Sequence, residues 1–249
     1  MIESSFCLLP GIGRTTERRL WRQGIRSWND FLGTPSIAGI SATRKTLWDK
    51  KLLEAHYHRT RENARYFGVT LPGNEHWRLY EWLRSRTLFL DIETDSSGRI
   101  TVVGLYGRGR CLSLVRGESL TRRRLCDELT EYGLLVTFNG ASFDLPMLLN
   151  QFPTLPLDQP HIDLCRLARR LGYRGGLKAV ERQCSIQRRT DLQGLSGHDA
   201  VCLWNRWRYG GDSLARERVV AYNEADCVNL QPLADRMYCE MARVLTGSA

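Results

Sequence analysis

The chain has 249 residues, 42% of them hydrophobic and 25% charged, which suits a globular protein with one sizeable core and a small additional module. No apolar run approaches the ~20 residues of a membrane span, and the opening MIESSFCLLPGIG has no basic stretch ahead of its short apolar one, which argues against a secretory signal. The formal net charge is +9, and all but four of the 36 basic residues are Arg. An Arg-favouring codon bias would explain the choice of cation but not the positive sum, which favours a polyanionic partner. The eight cysteines form no C-x-x-C and no His/Cys cluster with zinc spacing, so they read as reduced, buried thiols in a cytoplasmic setting.

In chain order, residues 1–33 form a Gly/Pro-punctuated unit, and 34–40 (TPSIAGI) a connector. Ser41 is placed to cap a helix running to about Tyr66, which GVTLPGNEH ends, and a short helix around Trp77–Leu83 leads onward. At residue 87 the period changes. TLFLDIE alternates, with Leu88, Leu90 and Ile92 on one face and Phe89, Asp91 and Glu93 on the other. RITVVGLYG and RCLSLVRG follow as strands joined by short Gly-containing turns, so antiparallel hairpins are expected. Residues 119–131 read as a helix, LLVTFN as a buried strand, 142–151 as a helix with Ser142 as its N-cap, and PHIDL as a short strand. Asp163 then caps a helix over 164–171, and the remainder is mostly helical. The expected fold is α/β: three antiparallel strands, then parallel ones, in a mixed sheet flanked by helices, with a small all-α N-terminal region. The expected division is 1–33, a helical connector over 34–85, and the α/β domain over 86–249.

Three short words carry chemistry. In LDIET, Asp91 and Glu93 lie two apart on a strand and share a face near its C-terminal end, where α/β sheets place their sites. Like charges at that distance need a proton or a cation between them. A D-x-E is nevertheless expected about 0.7 times by chance in this composition. FNGASFDLPML joins a strand to a helix that begins near Ser142. Its N-x-x-x-F-D pattern, Asn139 to Phe143-Asp144, is expected only about 0.01 times. Capping and the helix dipole account for Asp144 alone but not for the whole word. YNEAD puts Tyr222 and Asp226 one helical turn apart, so both point one way. In isolation that pair reads as a core tyrosine beside a surface acid. Together the words supply four carboxylates and a phenol, and four converging carboxylates in a net-basic chain call for cations.

DIET, FNGASFD and YNEAD resemble the Exo I, Exo II and Exo III motifs of the DEDD exonucleases, which have a ribonuclease H-like fold. Tyr222, where a sister branch has His, is similar to the DEDDy branch, shared with proofreading domains of family B polymerases. Within that branch the likeness is to the bacterial YprB-like group. The resemblance spans about residues 86–235. It implies two Mg²⁺ or Mn²⁺ ions, one held by Asp91, Glu93 and Asp226 and a second shared by Asp91 and Asp144. It also implies that Tyr222 positions the attacking water, and that Asn139 and Phe143 touch the substrate strand or shape a pocket for its terminal nucleotide.

The N-terminal LLPGIGRTTERRLWRQGIRSW resembles a helix-hairpin-helix motif, with Gly11 and Gly13 in a tight turn opening a helix at about Thr15. Such a turn lets backbone N–H groups approach phosphate, and Arg14, Arg18, Arg19, Arg22 and Arg26 surround it. The first helix of the motif is short, confined to Ile2–Leu8, so protein packing is an alternative role. Arg169, Arg170, Arg174 and Lys178 read equally well as phosphate contacts or as a solvated face. The function expected is a two-metal 3′→5′ exonuclease acting on nucleic acid, DNA ahead of RNA, as a monomer. A structure-selective endonuclease or RNase using the same site and a non-catalytic nucleic-acid-binding module are the alternatives.

Overall fold

A computed structural model describes residues 1–246. Five strands form one sheet: β1 (Thr87–Thr94), β2 (Ile100–Gly107), β3 (Arg110–Val115), β4 (Leu134–Thr137) and β5 (His161–Asp163). Their order is β3-β2-β1-β4-β5. β1–β2 and β2–β3 pair antiparallel, while β1–β4 and β4–β5 pair parallel. This is the mixed sheet the alternation predicts. A bulge interrupts the β1–β2 register between Glu93 and Thr94, a device that re-aims side chains at a strand end.

The alternation in β1 sorts two cores. Leu88, Leu90 and Ile92 pack with Leu125, Leu129 and Leu148, which come from α6 (Arg122–Thr130) and α7 (Asp144–Gln151). Phe89 faces the opposite core with Val136, Leu230, Leu233 and Met237. That second face is crossed by α11 (Ser213–Thr246), which continues through Pro232, a residue that can donate no amide to the helix ladder. Between β5 and α11 the chain forms α8 (Leu164–Arg170), α9 (Leu177–Gln183), a 3₁₀ turn at Thr190–Leu192 and α10 (Gly197–Gly210).

Ahead of the sheet lie α1 (Arg14–Arg22), α2 (Trp28–Gly33), α3 (Ala42–Thr60), α4 (Ala64–Thr70), a 3₁₀ helix at Gly73–Leu79 and α5 (Tyr80–Leu83). Two local expectations change. The single helix from Ser41 to Tyr66 is two helices. Ser41 does cap α3, accepting from Arg44 N–H, but Glu62 turns left-handed at φ 53° and Asn63 caps a new helix. The helix expected around Trp77–Leu83 is 3₁₀ as far as Leu79 and α-helical from Tyr80 to Leu83.

The helical region is fastened to the sheet by shared core and by buried charge. Phe6, Leu20, Trp28, Phe67 and Trp77 belong to the same apolar cluster as Phe89 and Val136. Arg78, fully buried, donates from Nη2 to Glu17 at 2.7 Å and from Nε to Glu75 at 2.7 Å. Glu17 also accepts the Phe6 N–H at 2.7 Å, so the buried charges are paired and hydrogen-bonded.

Candidate metal centre

The face of β1 that looks towards α11 carries Asp91 and Glu93, and α11 brings Tyr222 and Asp226 against it. Gly104, paired with Asp91 across β1–β2, sets how closely the helix can approach. A Cβ there would stand 2.5 Å from Cys227 Sγ and closer still to Asn223 Oδ1. In the space left by the missing Cβ, Asn223 Nδ2 donates to Asp91 Oδ2 at 2.9 Å and reaches the Asp91 carbonyl at 3.3 Å. One carboxylate oxygen from each of Asp91, Glu93 and Asp226 lies within 4.8 Å of the others.

Asp144 arrives from the opposite element. It is 3% exposed, and its Oδ1 accepts the Ile92 N–H at 3.1 Å, on the strand between Asp91 and Glu93. Ser142 does not cap this helix. Phe143 occupies the N-cap without a side-chain bond, and Asp144 spends its carboxylate on β1. The turn before it is held from below. Asn139 is left-handed at φ 66°, and its N–H donates to Asp163 Oδ1 at 2.9 Å, while the Ala141 N–H reaches Asp163 Oδ2 at 3.3 Å. Gly140 N–H donates to Thr137 Oγ1 at 3.1 Å; a Cβ on Gly140 would stand 2.5 Å from Thr137 Cβ. Asp163 caps α8 through Cys165 N–H at 3.0 Å, as its position predicts, and the same carboxylate organises the FNGA turn. Both Asn139 and Phe143 face solvent beside Asp144.

Two cations complete the surroundings. Lys178 Nζ donates to Tyr222 Oη at 2.7 Å and to the Leu195 carbonyl, and it lies 4.3 Å from the Tyr222 ring centroid. Arg188 forms an ion pair with Asp226 and a bidentate pair with Glu181. Neither contact follows from the sequence, although Lys178 stands out as one of four lysines in an Arg-rich chain. Of the other cations considered for phosphate, Arg170 binds the Asn74 carbonyl and Arg174 the Tyr173 carbonyl, while Arg169 remains exposed.

Burial and mutual repulsion govern the titration of the cluster. Asp91 is pushed well above the usual carboxylate range by loss of solvent, then by the charges of Asp226, Asp144 and Glu93. Glu93 rises to about 8, chiefly by burial and then by Asp226. Asp144 rises to about 7 by burial, opposed by its backbone hydrogen bonds. Asp226 is raised by burial, with Arg188 and Lys178 pulling it down. Protons therefore stabilise this cluster where no metal is bound. An all-carboxylate donor set at this spacing, with Glu93 and Asp226 buried, fits a hard divalent cation such as Mg²⁺ or Mn²⁺.

In the N-terminal region, Gly11 is left-handed at φ 77° and Gly13 is the N-cap of α1. Arg14 does not project freely: its Nε donates to Glu75 Oε1 at 2.6 Å. Arg18, Arg22 and Arg26, with Trp21, line a cavity of about 660 Å³ closed on one side by Val244 and Leu245. His161, in the edge strand β5, is held neutral with a pKa lowered to about 4 by burial, and meets Thr137 Oγ1 at 2.8 Å. Trp204 and Trp207 pack edge to face, with ring centroids 4.8 Å apart. No helix among the described residues is long and apolar enough to cross a membrane.

A family model described as the RNase H superfamily matches residues 88–238. Among solved structures, the family B DNA polymerase of the hyperthermophilic archaeon Pyrobaculum calidifontis is similar in fold, with a TM-score of 0.50 and 17% identity over 61% of this chain. The match spans 24% of the polymerase. No curated protein matches the chain.

Proposed function

The chain belongs to the RNase H superfamily, and from that premise we propose that it is a divalent-metal-dependent nuclease of the DEDDy type, similar to the YprB-like group, that removes nucleotides from the 3′ ends of DNA. The observation that carries the reading is the convergence of Asp91, Glu93 and Asp226 within 4.8 Å, with Asp144 bonded to the same strand. In this reading Asp91, Glu93 and Asp226 hold one ion, and Asp91 and Asp144 the second. The ions supply the positive charge that activates water and stabilises the departing 3′-oxygen.

The chain's own groups do the positioning. Asn223 fixes the Asp91 carboxylate through Oδ2, which would leave its other oxygen to a metal. Tyr222 accepts a hydrogen bond from Lys178, which leaves the phenolic O–H free to donate to the attacking water and orient it. Asn139 and Phe143, exposed on the turn beside Asp144, are placed to meet the terminal nucleotide. We assign residues 1–33 to a helix-hairpin-helix-like motif, 34–85 to a connector and 86–249 to the nuclease domain. Gly11 and Gly13 present backbone N–H groups to a phosphate there. Arg14, tied to Glu75, braces that turn and adds its charge. The protein acts as a monomer in the cytoplasm.

The test is incubation of the protein and its Asp91→Ala variant with end-labelled single- and double-stranded DNA and RNA in Mg²⁺ or Mn²⁺. Progressive shortening from the 3′ end, lost in the variant, supports the reading. Internal cuts would make it an endonuclease, and binding without cleavage a non-catalytic module.

A further inference from the structure

Arg188 is a buried cation against the acidic cluster, and the reaction outlined above gives it no task. Its side chain is 8% exposed. Nε and Nη2 donate to the two oxygens of Glu181 at 2.5 and 2.7 Å, a bidentate fork that fixes the plane of the guanidinium. Glu181 is itself 1% exposed and accepts from Asn229 Nδ2 at 3.1 Å. The guanidinium is therefore anchored from behind by α9 and α11. Nη1 remains, and it lies against Asp226 Oδ1 as an ion pair. Neither atom has a hydrogen-bond partner beyond this ion pair.

We propose that Arg188 is a fixed positioning residue of the metal centre, holding Asp226 by one oxygen and offsetting part of the cluster's negative charge. The assignment rests on the nuclease reading for its catalytic consequence, and on the contacts alone for its effect on metal binding. An arginine that had to swing away when metal binds would have to abandon Glu181, leaving a carboxylate buried without its counter-charge. The fork makes that exit unfavourable, so the cation stays when a divalent ion arrives. One oxygen of Asp226 is then committed to Arg188 and the other is free for the metal.

A permanent cation on a metal ligand has an unusual signature. A neutral hydrogen-bond donor behind a ligand usually helps the ligand hold its metal, and its loss weakens binding. A full positive charge repels the incoming ion, so its loss tightens binding while the ligand loses its orientation.

The experiment measures Mn²⁺ affinity from the electron paramagnetic resonance signal of free Mn²⁺, alongside cleavage rate and thermal unfolding. Three variants are compared with the wild type: Arg188→Gln, Arg188→Lys, and Arg188→Gln combined with Glu181→Gln, which removes both buried charges and protects folding. Arg188→Gln is expected to bind Mn²⁺ about tenfold more tightly and the double variant, which also loses the negative charge of Glu181, about threefold, with turnover falling about 10- to 100-fold in both. Arg188→Lys keeps the charge and loses the fork, so its Mn²⁺ affinity stays within about twofold of the wild type. Weaker or unchanged Mn²⁺ binding in the folded charge-removing variants would overturn the proposal, as would tighter binding in Arg188→Lys. A wild-type protein that binds Mn²⁺ and cleaves nothing would refute the nuclease reading, and the Mn²⁺ affinities would still decide the role of Arg188.

Discussion

Replacing Gly104 by Ala tests how the sheet and the long helix create the site together. The added Cβ would stand 2.5 Å from Cys227 Sγ and closer to Asn223 Oδ1, about 1 Å inside ordinary contact. Overpacking of this kind costs about 1–3 kcal/mol. Displacing Asn223 also removes a hydrogen bond to a carboxylate, worth about 1.5–3 kcal/mol. The total of about 2.5–6 kcal/mol corresponds to a melting temperature lower by roughly 10 °C for a chain of this size. Differential scanning fluorimetry with and without Mn²⁺ reads both consequences, since a misplaced Asp91 also diminishes the stabilisation by metal. Asn223→Ala relieves the clash with the new methyl, so the double variant is expected to be less destabilised than the two single losses combined. A Gly104→Ala protein that melts within about 2 °C of wild type and keeps its full response to Mn²⁺ would refute this reasoning.

Four further outcomes follow from the same contacts. Glu93 and Asp144 have pKa values raised in the fold to about 8 and about 7, so the native state binds more protons than the unfolded chain. Metal-free stability therefore falls as pH rises from about 5 to about 8, and Mn²⁺ raises the melting temperature more at the alkaline end; equal Mn²⁺ shifts across that range would contradict this. Tyr222→Phe is expected to lower turnover about 10- to 100-fold with Mn²⁺ affinity unchanged, checked by single-turnover cleavage and Mn²⁺ titration. Arg78→Met strands the buried Glu17 and is expected to cost about 3–5 kcal/mol in chemical denaturation, part of which Glu17→Gln recovers. Changing Arg18, Arg22 and Arg26 together to Gln is expected to weaken DNA binding and to flatten its dependence on salt, measured by fluorescence anisotropy.

The strands were legible because β1 alternates strictly: Leu88, Leu90 and Ile92 enter one core, while Phe89, Asp91 and Glu93 turn to the other. The shared direction of Tyr222 and Asp226 was legible from their i to i+4 spacing, whereas the 34-residue length of α11 was not. What the sequence hid were contacts between distant segments that leave no local period. Asn223 reads as an ordinary polar residue between Tyr222 and Glu224, and only its seat over Gly104 shows that it holds Asp91. Arg188 lies in a segment without helical or strand periodicity, and its task depends on Glu181 and Asp226 arriving from two helices. The break at Glu62 was missed because its left-handed backbone occurs without the Gly that usually announces one. Ser142 looked like a cap by residue type, but the tertiary bond from Asp144 to Ile92 N–H set the start of that helix instead.

Asp91, Glu93, Asp144 and Asp226 are proposed to form a divalent-metal centre. Anomalous diffraction from crystals grown with Mn²⁺ tests it most directly. One Mn²⁺ peak is expected among Asp91, Glu93 and Asp226 and a second against Asp91 and Asp144, with the first lost in Asp226→Asn. Crystals saturated with Mn²⁺ that show no peak at these carboxylates would contradict it.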